Sequence, residues 1–522
     1  MPVPPVSSPP ATDLSPSTAL HDGHQLARGA AANVLVLVAA NFRGVFTFLI
    51  ARLLGGAALG AFGLMATITD MLSKPGTLGF EEGMVPLVAR RRAVGDGEGA
   101  RLIFRRGLVA SLAASVVIAI VGIAAVEWLV RRGSLNALGP GASLMLLALP
   151  AISLARISTA ASRASFVLTN EFYSRGITET LITIVTFVGL VAVGLHATSA
   201  SLAVVVGSTC GGGVAWWLAR RALRPLAGRN REGRVDMPAA IRYAAPIAGS
   251  GLLNVLILNL DVLILSAFVG HAPGVTPQSF GVFCAAAEIA GGMRKVRQVF
   301  DPIFGPVAAS RDAGDDPLAL KETVKGPGRW VLAAQLPIVG ALALASGTIM
   351  SIYGQAFREG ALWLALLAVA HATNSFGGLV ETLMMIRKPT LNLINATVTV
   401  LAQLMASWVL IPRFGVTGAA VAMGLGFVVQ GILRFAEMKH VFGWSWPWQS
   451  LMRPVMAFAV AMTPALPLRA LGGPFAELGS AAVFIAGYVL CWLWLGADPE
   501  DREIWRLLRG GAAKPAASPA AI

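Results

Sequence analysis

Four ionisable side chains lie close together in the segment GGMRKVRQVFDP, residues 291–302, which is flanked by apolar runs. They are Arg294, Lys295, Arg297 and Asp301. On a helix, Arg294, Gln298 and Asp301 recur at the i, i+4 and i+7 spacing and share one broad face. Guanidinium groups bind phosphate through forked donors, and carboxylates hold such cations or exchange protons. The spacing therefore predicts a polar helix face that binds an anionic, phosphate-bearing ligand.

Other ionisable residues also lie inside apolar runs, and Arg43 is the most central, about ten residues from either end of its run. An ionisable group at the centre of a bilayer costs about 2.5–3.5 kcal/mol, so it faces a cavity or a partner and is a candidate for function. We predict two groups of site residues. The substrate-binding cations are Arg43, Arg294, Lys295 and Arg297. The cavity or coupling residues are Asp70, Lys74, Asp261, Glu288 and Asp301.

Each of these residues also has a purely structural interpretation, which the sequence leaves open. The cations near residue 294 could lie at the membrane interface and extend to lipid headgroups. Asp70 and Lys74 are four residues apart and could neutralise each other. Arg43 could pair with an acid, and Asp261 could be the partner of a cation in the outer leaflet.

Composition assigns the chain to the polytopic membrane proteins. Of its 522 residues, 56% are hydrophobic and only 13% are charged, and the mean hydropathy is +0.70. Fourteen apolar runs are long enough to cross a hydrocarbon core about 30 Å thick as helices. Their approximate spans are 33–54, 57–80, 105–129, 141–162, 174–194, 198–219, 240–269, 279–305, 330–351, 361–386, 390–411, 415–436, 451–470 and 474–497. We therefore predict an all-α integral membrane protein with about 14 transmembrane helices.

The net charge of +14 reflects membrane topology. Arginine and lysine are concentrated in alternate loops, such as residues 90–92 and 220–224, and the positive-inside rule then predicts that both termini are cytoplasmic. The cations do not gather on one face, so no nucleic-acid partner is expected. The Pro- and Ser-rich residues 1–30 predict a disordered cytoplasmic tail, and residues 501–522 a second tail.

The chain contains an internal repeat. The segment beginning at Phe62 aligns with the segment beginning at Phe280, an offset of about 218 residues, and Asp70 aligns with Glu288. In a chain this rich in Ala, Leu and Gly, such a repeat could also arise by chance. If it is real, it predicts two six-helix lobes in the same orientation with a substrate site between them. The predicted units are an N-lobe of residues 31–236, a C-lobe of residues 237–440, and two further helices in residues 441–500.

The sequence carries no motif of soluble catalysis, because it has neither a Walker A loop nor an ordered Ser, His and Asp set. Cys210, Cys284 and Cys491 lie in apolar runs without metal-ligand spacing. The glycine-rich stretch TCGGGVAWW, residues 209–217, also lies in an apolar run and predicts close helix packing. We therefore expect a transporter that is not an enzyme and has no metal or cofactor.

Several stretches resemble one family. LDVLILSAFVG, FGVFCAAAEIA and DPIFGPVAAS, followed by IYGQAFREGALWLALLAVA and WVLIPRFGVTGAAVAMGLG, are similar to polysaccharide transporters of the Wzx type. These belong to the multidrug/oligosaccharidyl-lipid/polysaccharide (MOP) superfamily, with the multidrug and toxin extrusion (MATE) proteins and the lipid II flippases. The resemblance covers roughly residues 30–440 and is one of pattern rather than of a tight motif.

The resemblance implies a flippase of the bacterial inner membrane. Such a protein moves an undecaprenyl-diphosphate-linked oligosaccharide from the cytoplasmic to the periplasmic leaflet by alternating access, for exopolysaccharide, capsule or O-antigen assembly. A polysaccharide polymerase and glycosyltransferases of the same pathway are the implied partners. Asp261 matches the family's aspartate in the seventh helix, and the cations of the first and eighth spans fall where related flippases bind the diphosphate. The dense RKVRQ cluster departs from the family's pattern.

Two other functions stay open. A cation-coupled multidrug antiporter of the same superfamily would need a net acidic cavity, whereas this sequence places more cations than acids among its candidate residues. A membrane polysaccharide polymerase or ligase usually carries a large periplasmic loop with catalytic residues, and every outer loop predicted here is short.

Overall fold

A computed structural model gives the fold of the chain. It describes residues 42–93, 95–139, 141–167, 169–224, 236–296, 317–376, 381, 383–384, 388–444 and 448–495. Every regular element in these ranges is helical, which confirms the prediction of an all-α protein. The predicted tails, residues 1–30 and 501–522, lie outside the described residues.

Fifteen principal helices make up the described part of the chain. They are α1 (Phe42–Leu54), α2 (Gly56–Gly76), α3 (Phe80–Ala93), α4 (Gly97–Arg131), α5 (Leu149–Ala164), α6 (Thr180–Ala192), α7 (Ser199–Leu223), α8 (Met237–Ala267), α9 (Pro277–Gly291), α10 (Pro317–Leu344), α11 (Ser346–Tyr353), α12 (Ala361–Phe376), α13 (Pro389–Phe442), α14 (Trp448–Ala470) and α15 (Pro474–Trp494). Short 3₁₀ segments precede α5 and α12, and a π-helical segment, Phe172–Glu179, leads directly into α6.

The helices in the described ranges include nine that are long and apolar enough to cross a membrane, or ten if α10 and α11, which meet at 71°, form one bent span. Within the described ranges, each of the fourteen predicted apolar runs overlaps at least one helix. The runs 390–411 and 415–436 are the two arms of α13, which is bent at Gly415 (φ 56°). The chain is therefore a multi-pass membrane protein, as predicted.

Two predicted runs are interrupted in ways that the hydropathy pattern did not reveal. The second run continues past residue 80 as α3, after a break at Leu78 (φ 50°) and Gly79 (φ 78°), which both adopt left-handed backbone angles. The eighth run was predicted to be one helix over 279–305. The helix α9 ends at Gly291, and after a one-residue interruption at Gly292, whose φ and ψ of −57° and −26° stay in the helical region, residues 293–296 are helical again, while residues 297–305 lie outside the described ranges. Two adjacent glycines are poor helix formers, which favours a break there.

Glycines of α7 pack closely against the neighbouring helices. A Cβ atom on Gly211 would lie 2.8 Å from the Cβ of Glu179, and one on Gly212 would lie 2.8 Å from the carbonyl oxygen of Ala151 in α5. The prediction that TCGGGVAWW serves close helix packing is therefore confirmed for these two glycines.

The helix α2 packs against α8 and α9, and we call this contact the seam. A Cβ on Gly60 would lie 3.0 Å from the backbone nitrogen of Gly281, and one on Gly63 would lie 3.0 Å from the Sγ of Cys284. Large apolar side chains such as Leu64 and Phe283 are fully buried around these glycines. At the seam, the segment beginning at Phe62 therefore touches the segment beginning at Phe280, with which it aligns in the sequence.

The two C-terminal helices pack on α10. Phe484 of α15 is fully buried and fits against Gly340 of α10, and Ala457 and Ala461 of α14 belong to the same apolar cluster. At one end of the bundle, Arg101 of α4 donates to the carbonyl oxygen of Leu223, the last residue of α7, at 3.0 Å. The arginines that end α3 (Arg90–Arg92) and α7 (Arg220 and Arg221) lie close to this contact. We call this end of the bundle the basic end.

Candidate functional site

Arg156 of α5 binds two acids that come from the two segments of the interrupted second span. Its Nη2 atom donates to Asp70 Oδ1 at 2.5 Å, and its Nη1 atom donates to Glu81 Oε2 at 3.1 Å. Lys74 Nζ donates to the same Glu81 oxygen at 2.9 Å. The Arg156 side chain is only 10% exposed, whereas that of Asp70 is 37% exposed, so the group extends from the interior of the bundle to open space beside α2. We call these four residues the Arg156 cluster.

This cluster corrects the interpretation of Asp70 and Lys74. The alternative that they neutralise each other is wrong, because Asp70 pairs with Arg156 and Lys74 pairs with Glu81. Arg156 is not among the residues predicted from the sequence, because it lies near the end of the predicted run 141–162, and Glu81 was missed because the run 57–80 was predicted to end just before it. The available signal was a lone arginine in the apolar stretch around residue 156, which requires an acidic partner inside a membrane.

A second set of charges extends the polar layer along the π-helical segment Phe172–Glu179. Glu171 accepts hydrogen bonds from Arg163 at 3.4 Å and from Arg175 at 3.2 Å. Glu179 accepts one from Ser208 of α7 at 3.0 Å. Because π-helical turns are rare and occur frequently at functional sites, this layer is a candidate surface for polar substrate groups.

Arg294 lies one turn after the end of α9, on the side of the seam opposite the Arg156 cluster. Its side chain is partly buried and interacts electrostatically with Glu288, Asp261 and Asp70. No hydrogen bond or ion pair joins its guanidinium directly to any residue in the described ranges. The seam thus holds an arginine whose forked donors remain available to a ligand, as far as the described residues go.

Asp261 of α8 is 1% exposed. Neither of its carboxylate oxygens makes a hydrogen bond of ordinary geometry with a described residue. Its electrostatic neighbours are Arg294 and the thiol of Cys284. A buried carboxyl without a partner is costly, so its presence in the seam favours a role in binding a cation or a proton.

The remaining predicted residues have different outcomes. Glu288 is exposed on α9, and Lys295 is half-buried in the helical residues 293–296, next to Arg294. Arg43 lies in α1, but its side chain falls outside the described structure, as do Arg297 and Asp301 entirely. The alternative that the cations near residue 294 extend to lipid headgroups stays a prediction.

Charges near the seam are balanced among the residues that the structure describes. The cations are Lys74, Arg156, Arg294 and Lys295, and the acids are Asp70, Glu81, Asp261 and Glu288. The predicted excess of cations therefore depends on Arg43 and Arg297. No group of three or more His, Cys, Asp or Glu side chains that could hold a metal ion occurs in the described ranges.

Comparison with protein families gives one match. A family model described as "Polysaccharide biosynthesis protein" matches residues 27–291, just over half of the chain. Among curated proteins, nothing matches the chain.

Solved structures with the same fold are membrane transporters. An inward-facing MATE family transporter of the MOP superfamily has a TM-score of 0.67 at 15% identity, over 79% of this chain and 98% of its own. The lipid II flippase MurJ in an inward closed conformation has a TM-score of 0.65 at 12% identity, over 92% of this chain and 98% of its own. A MOP superfamily transporter from Pyrococcus furiosus, described as having a binding pocket of reverse polarity, has a TM-score of 0.52 at 15% identity, over 79% of this chain and 96% of its own. At these identities the similarity establishes the fold alone.

Proposed function

The chain belongs to the polysaccharide biosynthesis protein family, within the MOP superfamily of flippases and transporters, and from that membership we propose that it is a flippase for a polyprenyl-diphosphate-linked oligosaccharide. The observation that carries the proposal is Arg294, a partly buried guanidinium in the seam with no direct ion pair among the described residues. A diphosphate is the kind of ligand that such a fork binds best.

The proposed path places each part of the substrate in a different environment. The diphosphate binds at Arg294, whose guanidinium makes no direct ion pair with a described residue. The sugars lie along the polar layer of Arg163, Glu171 and Arg175, whose side chains are partly exposed. The prenyl chain stays in lipid, because exposing its CH₂ groups to water in the cavity would cost roughly 0.8 kcal/mol each.

Transport is proposed to occur by alternating access between an N-lobe, residues 31–236, and a C-lobe, residues 237–440. The helices α14 and α15 of the remaining unit, residues 441–500, pack on α10 of the C-lobe. The positive-inside rule supports a cytoplasmic basic end, and the family resemblance supports a location in the bacterial inner membrane. With that orientation, the membrane potential favours outward movement of the diphosphate, by about 2.3 kcal/mol per charge per 100 mV. A polymerase and glycosyltransferases of the same pathway are the proposed partners.

The proposal is tested in a strain that lacks the chromosomal gene. We expect the lipid-linked oligosaccharide to accumulate in the cytoplasmic leaflet and to be cleared by the wild-type protein. An Arg294→Gln variant at equal abundance should clear it at least about tenfold more slowly, because loss of one partner of a desolvated charge pair costs 2–5 kcal/mol or more. Arg132→Gln, which removes an exposed arginine stacked on Trp128, is the matched control and should keep wild-type activity. Full activity of Arg294→Gln would contradict the proposal.

A cation-coupled multidrug antiporter is the second candidate, and two observations favour it. The described charges near the seam are balanced rather than cationic, and Asp261 is a buried carboxyl of the kind that binds cations or protons. Drug-resistance assays in a pump-deficient strain separate the two functions. Resistance to cationic drugs that is lost in Asp261→Asn, together with normal clearance of lipid-linked sugar in the deletion strain, would favour the antiporter.

A further inference from the structure

The break in the second span is a built feature of the fold. Leu78 and Gly79 have consecutive positive φ angles of 50° and 78°, and Leu78 accepts the strain of a left-handed conformation that side chains rarely adopt. The carbonyl oxygens that the break frees are satisfied by serines of α4. Ser115 donates to Gly76 at 3.1 Å, and Ser111 donates to Thr77 at 2.9 Å. Because the exposed backbone groups have partners, the break is stable inside a membrane.

The Arg156 cluster spans this break. Asp70 and Lys74 belong to α2, before the break, and Glu81 belongs to α3, after it. Arg156 holds Asp70 with one terminal nitrogen and Glu81 with the other, and Lys74 reaches Glu81 directly. The side-chain hydrogen bonds of Glu81 therefore tie the second segment to the first segment and to α5.

The second segment, α3, rests against α8 on the other side. Gly79 packs so closely on the carbonyl oxygen of Ala244 that a Cβ atom would overlap it, and a Cβ on Gly83 would lie 3.3 Å from the Ala244 Cβ. Gly251 of α8 contacts the aliphatic stem of Lys74, at 3.7 Å from a Cβ built on the glycine. The position of α3 therefore determines how the second segment of this span packs against α8.

We propose that Arg156 is a positioning residue that clamps a hinge at Leu78 and Gly79, and that it holds α3 against α8 in the conformation described here. The two carboxylates are separated by the break, so a single guanidinium that binds both fixes the angle between α2 and α3. Arg156 is 9% exposed, and in such surroundings loss of its charge leaves Asp70 and Glu81 without their common partner. Freed from Arg156, α3 swings about the two left-handed residues and separates from α8.

Disulfide formation between Gly83→Cys and Ala244→Cys measures this position directly. The two Cβ atoms lie near the 3.5–4.5 Å separation that a disulfide requires. The pair is introduced into a full-length protein in which Cys210, Cys284 and Cys491 are replaced by Ala, and the rate of cross-linking by a mild oxidant is followed in membranes. This readout needs no substrate, so it is independent of the proposed transport function.

We expect Arg156→Gln and Glu81→Gln each to slow cross-linking by about tenfold or more. Arg156→Lys, which keeps the charge but lacks the fork, should restore part of the rate. Arg132→Gln is the matched control, because Arg132 is an exposed arginine at the end of α4 that stacks on Trp128. If Arg156→Gln does not yield folded protein by size-exclusion chromatography, Glu81→Gln carries the test alone. Wild-type cross-linking rates in the folded Arg156→Gln and Glu81→Gln variants would overturn the proposal.

Discussion

Gly281 of α9 lies against the carbonyl oxygen of Gly56 at the start of α2, so closely that a Cβ atom on Gly281 would overlap that oxygen. Only glycine permits this approach of two helix backbones. The contact lies at the end of the seam farthest from the basic end, and it closes the seam there. Any conformational change that opens this end of the seam must separate these two glycines.

Substitution of Gly281 by Ala should therefore favour the opened seam. The added methyl group forces α2 and α9 apart, and we expect transport to fall by about tenfold or more, because overpacking at a tight contact costs about 1–3 kcal/mol. Transport of lipid-linked sugar per molecule of protein is the measurement. Gly249→Ala in α8 is the control, because a Cβ there meets nothing within 4 Å, and the same exchange should be neutral or slightly stabilising.

Arg294→Lys tests whether the fork of the guanidinium matters. If Arg294 binds a diphosphate in two-point fashion, an ammonium at the same place keeps the charge but loses paired donors, and transport should fall by about tenfold. Arg132→Lys is the control, because Arg132 is exposed and stacks on Trp128, and its transport should stay within about twofold of wild type. Equal activity of the Arg294→Lys variant and wild type would show that the site requires a positive charge but not the paired donors of a guanidinium.

Asp261→Asn separates function from stability at the buried carboxyl. The amide has the same shape, and Asp261 makes no ordinary hydrogen bond with the described residues, so we expect the melting temperature in detergent to stay the same or rise. Transport should fall by about tenfold or more if Asp261 exchanges a cation or proton during the cycle. A fall in both quantities would instead mark Asp261 as a structural partner of Arg294.

Glu477→Gln should destabilise the junction between α10 and α11. The Glu477 carboxylate accepts hydrogen bonds from the Thr348 backbone nitrogen at 2.5 Å, from the Thr348 hydroxyl at 2.8 Å and from Arg358 at 2.9 Å. It thus caps the first turn of α11 from another helix. Since Arg358 is 41% exposed, solvent weakens the pair, and we expect a loss of about 1–3 kcal/mol. Thermal unfolding followed in detergent gives the value, and the exposed neighbour Glu359→Gln should leave it unchanged.

The hydropathy pattern predicted where helices lie but not where they break. Each of the fourteen runs overlaps a helix in the part of the chain that the structure describes, because the length of an apolar run is a local property that the bilayer thickness sets. The break at Leu78 depends instead on contacts from another helix, such as the hydroxyl of Ser111 on the Thr77 carbonyl. Pro75 was visible in the sequence, but many membrane helices tolerate a proline without breaking.

The sequence by itself determined that the chain is an all-α membrane protein and that charges are buried within its spans, because each follows from the composition of a single segment. Which charges meet was decided by tertiary structure alone. Arg156 finds Asp70 at a distance of 86 residues along the chain and Glu81 at a distance of 75, and spacing along one helix pointed to Lys74 instead as the partner of Asp70. An ion pair is a property of two surfaces brought together by packing, and the partner of a buried charge is therefore fixed only when the helices have found their neighbours.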